Sequence, residues 1–433
     1  MKKKKMLSIL QYLVPLFILV ILLNTIGGLY EYTEKNSCKK KWEGFYSKDR
    51  NSIDLLILGN SHAACGINPS IIEERLGLSS YNLATSSQDI SQTYYFLKEA
   101  LKYQDIKYLI IDSSMLLYHP IEKNRTIYYA SSDYMRFSIN KLSMVNDLFS
   151  GKDKIYALLP FTRGRLALHD PELLSSNYRY FKRGYQQKTY KGFSPIANYL
   201  DETRNAQYKT VAYDEIKFIS PEVDNIENQY LSKIKDLCRE NGVTLKFITV
   251  PMLENFNNRV QYDKNYDEVS QVLEKSEISF TDFNMNNDFN RFEFGNDVIG
   301  NNQHLNYKGA EKFTDILCDT LSGVTGLAKK ATTHNSAPIN VQTKVKSSLI
   351  ESCETIIHPV TKGIIVAELH IAADDSTIDK KFVLILYLEN EESIKIPFAC
   401  IKSYKIEDNT YIFAQRIDDI RGEIIRAEVS SLD

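Results

Sequence analysis

Two separated segments of this chain carry residue types that could together perform acyl chemistry. The first, 59–62 (Gly-Asn-Ser-His), directly follows the apolar run 53–58, and a strand that ends in a glycine turn can present a serine hydroxyl at the carboxyl edge of a sheet. The second, 301–306 (Asn-Asn-Gln-His-Leu-Asn), precedes a helical pattern. A serine hydroxyl is a poor nucleophile alone and needs an adjacent base. Ser61 with His304 as its base therefore predicts a hydrolase or acyl-transfer site.

The elements that must position these residues follow an alternating pattern of strands and helices. The run 53–58 is apolar apart from Asp54, which is typical of a strand covered on both faces of a parallel sheet. Asn68 and Pro69 suit the N-cap and the first position of a helix, and Asn306 suits the N-cap of the last one. Further strands are predicted at 81–85, 108–111, 244–250 and 278–281, with helices at 69–76, 91–103, 225–240, 266–275 and 307–321. This order predicts an α/β domain over 51–322.

Three parts of the chain depart from that alternation. Residues 113–221, rich in Tyr, Arg and Lys, are interpreted as an insertion that either carries substrate binding or forms a stabilising helical cap. Residues 323–340 lack periodicity and are predicted to be a linker. The remainder, 341–433, has short β-like runs separated by charged turns, which predicts a small antiparallel β-sandwich module.

The N-terminus predicts a location. Lysines at positions 2–5 precede an almost wholly apolar run, 6–30, which approaches the ~20 residues needed to cross a bilayer. Because such lysines stay on the cytoplasmic side, a transmembrane helix here would place the rest of the chain outside the cell. A cleaved signal peptide is the alternative, although no clear cleavage site follows and the run is long for a signal core. Residues 31–50 are polar and are predicted to form a short stalk.

Composition argues against several classes of function. The formal net charge is -2 over 433 residues, with no basic stripe beyond the N-terminus, so nucleic-acid binding is not expected. The six cysteines are scattered, and neither they nor the histidines show metal-ligand spacing, so no metal or cofactor is predicted. Isolated buried thiols are the favoured interpretation, with a disulfide between Cys353 and Cys400 left open.

The two segments together resemble the SGNH/GDSL hydrolase superfamily. The resemblance rests on Gly-x-Ser-His after the first strand and on His-Leu-Asn-x-x-Gly-Ala before the last helix, and it covers about 51–322. It implies a three-layer α/β sandwich with a parallel sheet. More narrowly, the chain is similar to membrane-anchored cell-envelope members, which act on acyl groups of surface polysaccharides and often work beside a membrane-bound O-acyltransferase.

The family's site residues can be carried over one by one. Ser61 matches the nucleophile, His304 the general base, and the backbone N–H of Ser61 one oxyanion donor. The family's second motif supplies a glycine N–H, but no glycine follows the second predicted strand here, so the N–H of Ser86 or Ser87 is the candidate donor. The asparagine of the third motif has no counterpart in 112–114 (Asp-Ser-Ser), and that donor is not assigned.

Two neighbours of the serine are further candidates. Asn60 is placed among the residues that could contact the oxyanion or the substrate. His62 could do the same, but packing beside the nucleophile turn is the alternative interpretation.

The weak point is the residue that should orient the histidine. The family's acid stands three residues before the histidine, and Asn301 occupies that position. An amide oxygen can accept the Nδ1–H of an imidazole, but it does not stabilise imidazolium as a carboxylate does, and the cost reaches about ten-thousandfold in rate when the wrong tautomer is favoured. A contribution from Asp297 and a Ser-His dyad without an acid are the alternatives.

Two functional hypotheses follow. The first is a membrane-anchored, extracytoplasmic serine esterase or O-acetyltransferase that acts on a cell-surface polysaccharide through Ser61 and His304. The second is a catalytically degenerate scaffold or glycan-binding protein that partners a membrane acyltransferase.

Overall fold

The computed structural model describes the larger part of the chain. The described residues are 37–117, 132–160, 190–199, 225–251, 259–284, 304–331, 337–373, 380–399, 404–407, 410–418 and 422–431, with a few isolated positions between and before them. The chain forms two compact units, 1–42 with 124–187 and 43–123 with 188–433.

The helices are numbered in chain order within the described residues. They are α1 (Ser37–Tyr46), α2 (Ser61–Gly66), α3 (Pro69–Leu76), α4 (Ile90–Ala100), α5 (Ser114–Leu117), α6 (Ile139–Leu148), α7 (Lys152–Leu158), α8 (Asn225–Glu240), α9 (Arg259–Lys275) and α10 (Tyr307–Thr325). The strands are β1 (Leu55–Leu58), β2 (Ser80–Asn82), β3 (Tyr108–Asp112), β4 (Thr244–Thr249), β5 (Ser279–Asp282), β6 (Ile339–Val341), β7 (Thr343–Val345), β8 (Ile350–Thr361), β9 (Ile364–Ala373), β10 (Lys381–Leu388), β11 (Ser393–Ala399), β12 (Tyr404–Glu407), β13 (Thr410–Asp418) and β14 (Ile424–Ser431).

A five-stranded parallel sheet forms the framework of the larger unit. Its order is β2-β1-β3-β4-β5, one of the two common orders of doubly wound α/β folds. All four residues of β1 are fully buried, as its continuous apolar sequence predicts. The predicted α/β fold with a parallel sheet is therefore confirmed.

Helices lie on both faces of this sheet. On one face, α2, α3 and α10 pack together over Leu55 and Ile57 of β1 and Ile110 of β3. In the sheet, β2 lies on one side of β1 and β3 on the other, so the connection from β2 to β3 runs opposite to the one from β1 to β2. Because both connections are right-handed, α4 lies on the other face of the sheet. There α4 packs against α8, with Tyr95 and Tyr230 in ring contact.

The strands after residue 337 form two further sheets. Their orders are β11-β10-β14-β7 and β12-β13-β9-β8-β6, with antiparallel pairing throughout except between β14 and β7. Alternate residues of β10 are buried, and both sheets contribute to one hydrophobic cluster that includes Leu369, Leu384 and Val429. The strand pairings show two sheets in this region. The β-sandwich predicted for 341–433 stays a prediction. The predicted linker, 323–340, begins later than expected because α10 continues to Thr325.

Two predictions concern the N-terminal region. The anchor predicted for 6–30 lies mostly outside the described residues, and no helix among those that are described is long and apolar enough to cross a bilayer. The polar stalk predicted for 31–50 needs correction, because α1 occupies its second half. Trp42 and Phe45 lie three residues apart on one face of α1 and are both fully buried, and Phe45 contacts Tyr81 edge to face.

The smaller unit contains part of the predicted insertion, 113–221. Its described helices α6 and α7 pack together, with Tyr128, Phe149 and Ala157 among their buried neighbours. Most of 161–224 lies outside the described residues, so whether the insertion binds substrate stays a prediction.

Candidate active site

A glycine turn places Ser61 at the start of a helix. After β1 the backbone of Gly59 has a φ of 146°, and a Cβ on this residue would lie 2.7 Å from the Cβ of Asp112. Both the conformation and the close approach therefore require glycine. Asn60 then caps α2, since its Oδ1 accepts a hydrogen bond of 2.9 Å from the backbone N–H of His62.

The histidine predicted as the base lies against this serine. The distance between His304 Nε2 and Ser61 Oγ is 2.7 Å, although 243 residues separate them in sequence. Both side chains are partly exposed, so the pair is accessible from solvent. When His304 is neutral with its proton on Nδ1, Nε2 accepts the hydrogen bond from Ser61. This is the geometry in which an imidazole can take the proton of an attacking serine.

Buried residues after His304 fix its place. Leu305 and Asn306 are fully buried, and Asn306 caps α10 by accepting hydrogen bonds from the N–H groups of Lys308 and Gly309. The asparagine predicted as N-cap from sequence thus lies two residues from the histidine. The capped start of α10 therefore fixes the position of the backbone next to His304.

One backbone amide beside Ser61 Oγ is available to a ligand. The next three amides of α2 donate to the side chain and carbonyl of Asn60 and to the carboxylate of Asp112. Within the described residues, the N–H of Ser61 has no partner of its own. It can therefore serve as an oxyanion donor, as carried over from sequence.

The other predicted oxyanion donors follow Thr85 in the turn after β2. Ser86 and Ser87 lie in an exposed turn after β2, and Thr85 before them donates its N–H to the carbonyl of Gly59 at 3.1 Å. This hydrogen bond joins the turn after β2 to the turn that precedes Ser61. An oxyanion donor directs its N–H at the substrate and not at Ser61 or His304, so the role of Ser86 or Ser87 stays a prediction.

His62 stacks on the catalytic candidate. Its ring lies 4.5 Å from that of His304, centroid to centroid, with an angle of 20° between the planes. His62 is partly exposed, but its Nδ1 atom is buried and has no hydrogen-bond partner among the described residues. Burial, followed by the neighbouring charge of His304, lowers the pKa of His62 well below its usual value. His62 is therefore held in its neutral form.

Sequence reasoning missed a buried carboxylate beneath the nucleophile turn. Asp112 ends β3, is fully buried, and accepts a 2.6 Å hydrogen bond from the Ser114 hydroxyl. The amide of Asn60 donates to that same hydroxyl at 2.7 Å, so a chain of two hydrogen bonds links Asp112 to the cap of α2. A charged residue ending an otherwise apolar strand, next to the glycine-turn strand in the sheet, was the signal that could have revealed it.

The Asp112 carboxyl has a pKa above its usual value. Burial raises its pKa to about 6, an effect opposed by hydrogen bonds from Ser114 and from the amides of Val250 and Ala63. It therefore titrates close to neutral pH.

Both residues predicted to orient His304 belong to the segment that precedes it. Asn301, predicted at the acid's position, and Asp297, its alternative, both lie outside the described residues.

Cys400, one half of the disulfide left open from sequence, also lies outside the described residues. Among the residues that are described, no group of three or more His, Cys, Asp or Glu side chains could hold a metal ion.

Comparison with known proteins gives distant structural likenesses only. No protein-family model matches the chain, and no curated protein matches it. Solved structures that it resembles include the psychrotrophic esterase EstA from a Pseudoalteromonas species (11% identity, 63% of this chain and 98% of that chain, TM-score 0.29). Others are a lipase/acylhydrolase from Enterococcus faecalis (8%, 65% and 100%, 0.29) and a catalytic mutant of Axe2, an acetylxylan esterase from Geobacillus stearothermophilus (12%, 65% and 97%, 0.28). At these identities and TM-scores the likenesses do not bear on what this chain does.

The raised pKa of Asp112 predicts a pH-dependent stability. Because the folded state binds this proton more tightly than the unfolded state, Asp112 contributes stability below pH 4 that is lost as pH rises through about 6. A shift of this size corresponds to about 3 kcal/mol. The unfolding free energy of the wild type should therefore fall between pH 4 and 7. In Asp112→Asn this fall should be smaller by up to that amount.

Urea unfolding at both pH values, on the wild type and the variant, measures this difference. The two proteins share their other titrating groups, so these cancel in the comparison. Equal pH slopes would show that the buried carboxyl does not titrate in this range.

Proposed function

We propose that this protein is a serine esterase or acyltransferase of the SGNH/GDSL type. The observation that carries the proposal is the 2.7 Å contact between Ser61 Oγ and His304 Nε2 at the carboxyl edge of a parallel sheet. The α/β fold supports it, as does the N–H of Ser61, which has no hydrogen-bond partner within the described residues. A nucleophile, a base within reach and one oxyanion donor are the minimum set for acyl transfer.

The reaction runs in two steps. Ser61 Oγ bonds to the acyl carbonyl carbon while its proton passes to His304 Nε2, and the carbonyl oxygen gains negative charge near the N–H of Ser61. The bond to the leaving alcohol then breaks, and His304 returns its proton to that oxygen. Water or a sugar hydroxyl attacks the acyl-serine in the same way, which releases an acid or a new ester and restores Ser61.

The proposed substrate is an acylated polysaccharide at the cell surface, with acetyl as the group transferred. The support comes from sequence: the lysines at 2–5 and the apolar run 6–30 fit a single membrane anchor with the site outside. The partly exposed position of the Ser61–His304 pair suits a polymeric substrate. A membrane-bound O-acyltransferase is the proposed partner.

A non-catalytic scaffold or glycan-binding role, beside the same membrane acyltransferase, is the second candidate. The specific observation in its favour is Asn301, because an amide replaces the acid that would stabilise a protonated His304.

Mass spectrometry of the full chain after incubation with an activated acetyl ester separates the two functions. An enzyme gains an acetyl group on Ser61, and the adduct disappears in Ser61→Ala. A folded wild type that neither gains the adduct nor hydrolyses the ester would leave the scaffold as the function.

The stacking of His62 predicts a shape-dependent effect on the rate. If His62 holds the plane of the His304 ring, His62→Phe should keep most of the activity because it preserves a flat ring. His62→Ala should lower kcat by about tenfold or more while leaving KM nearly unchanged, since a small misplacement of a catalytic group is costly.

Steady-state hydrolysis of a small acetyl ester, with unfolding free energies measured beside it, provides the comparison. Equal losses in both variants, together with a raised KM, would instead mean that the exposed part of the His62 imidazole contacts the substrate.

A further inference from the structure

A buried carboxylate joins the β-strands to the start of α10. Glu368 of β9 is 1% exposed. It accepts hydrogen bonds from the hydroxyls of Tyr307 at 2.6 Å and Tyr199 at 2.8 Å, and Lys308 Nζ lies 3.2 Å away. From the strands themselves, His370 Nε2 lies 2.5 Å and His358 Nε2 3.1 Å from it. These contacting groups come from three separate stretches of the chain.

The number of donors is what allows this carboxylate to be buried and charged. Burial alone raises the pKa of Glu368, but contacts from His358, His370 and Tyr307 and the charge of Lys308 hold it well below its usual range. A buried charge with all its partners is stable, whereas removal of one partner leaves an uncompensated group. The geometry of the donors is therefore tightly constrained.

Apolar packing surrounds this centre on both sides. Phe193, Tyr199 and Tyr307 pack with Val366 of β9 and Ile412 of β13 in one buried cluster. Exclusion of water from such a cluster strengthens the electrostatic contacts inside it. Glu368 and the first turn of α10 are thus joined by buried polar and apolar contacts.

The catalytic histidine lies three residues before this group. The backbone from His304 to Tyr307 is short and buried after its first residue, and Tyr307 N–H donates to the carbonyl of Ile196 at 2.8 Å. A displacement of Tyr307 therefore moves His304 relative to Ser61.

The hairpin of β8 and β9 also contacts the segment that follows the nucleophile helix. The side chain of Asn68 donates to the carbonyl of Val360 at 3.2 Å, and the hydroxyls of Ser70 and Thr361 lie 2.6 Å apart. Asn68 in turn receives support from α10, because its N–H donates to the hydroxyl of Thr314 at 3.0 Å. The β8–β9 hairpin therefore contacts both the helix that follows His304 and the segment that follows the Ser61 helix.

We propose that Glu368 is a positioning residue for His304 and acts through Tyr307. The β8–β9 hairpin is then part of the active site, in place of a separable binding module. This inference rests on the proposed function, since it concerns the same serine and histidine.

The test compares full-length variants by their rate of Ser61 modification with a fluorophosphonate. Glu368→Gln keeps the shape of the side chain and removes its charge, and Tyr307→Phe removes one hydrogen bond from the other side. Each should slow labelling, and lower kcat for a small ester, by about tenfold or more with little change in KM. Glu351→Gln, an exposed glutamate on β8, is the matched control and should label at the wild-type rate.

A second measurement does not depend on catalysis. In protein labelled with ¹⁵N-histidine, the ring nitrogens of His304 report its hydrogen bond to Ser61, with His304→Gln to assign them. Glu368→Gln and Tyr307→Phe should shift these resonances towards those of a free imidazole. The Tyr307→Phe comparison decides the matter if Glu368→Gln does not fold.

Labelling and His304 resonances like those of the wild type in a folded variant would overturn the proposal. A wild type that is not labelled at Ser61 would count against the proposed function alone, and the histidine resonances would still decide whether Glu368 positions His304.

Discussion

The hydrogen bond between Ser61 and His304 is the interaction on which the rest of this structure depends. It joins residues 243 positions apart, so neither local propensity nor a single element can form it. The parallel sheet brings the two segments to one edge, and caps at Asn60 and Asn306 fix where each helix begins. A shift of about 1 Å in either helix would be enough to impair a proton transfer.

Two buried carboxylates secure the two sides of that contact. Asp112 lies beneath the nucleophile turn and is linked through Ser114 to Asn60, while Glu368 holds the start of the helix that follows the histidine. They are held differently: burial dominates at Asp112 and raises its pKa, whereas the surrounding donors prevail at Glu368 and lower its pKa. Buried charges of this kind are costly to retain unless their partners are in place, which makes each one a strict geometric constraint.

The sequence predicted what depends on local pattern and missed what depends on distant contacts. The apolar run of β1 and the helix between Asn68 and Gly77 follow from periodicity, capping and glycine chemistry. The stalk was a misinterpretation, because lysines dominate 39–41 while Trp42 and Phe45 supply the buried face of α1. Asp112 and Glu368 stayed hidden because a polar residue in an apolar strand has meaning only once its partners, far along the chain, are known.

The orientation of His304 is central to whether this site reacts, since the sequence places an amide at Asn301 where an acid would help most. The most direct measurement is the rate of Ser61 modification by a fluorophosphonate as a function of pH, in the wild type and in His304→Gln. If His304 activates Ser61, the wild-type rate rises as the imidazole loses its proton, and the variant is slower by about a hundredfold or more with no such rise. Equal rates and equal pH profiles in the two proteins would contradict the account.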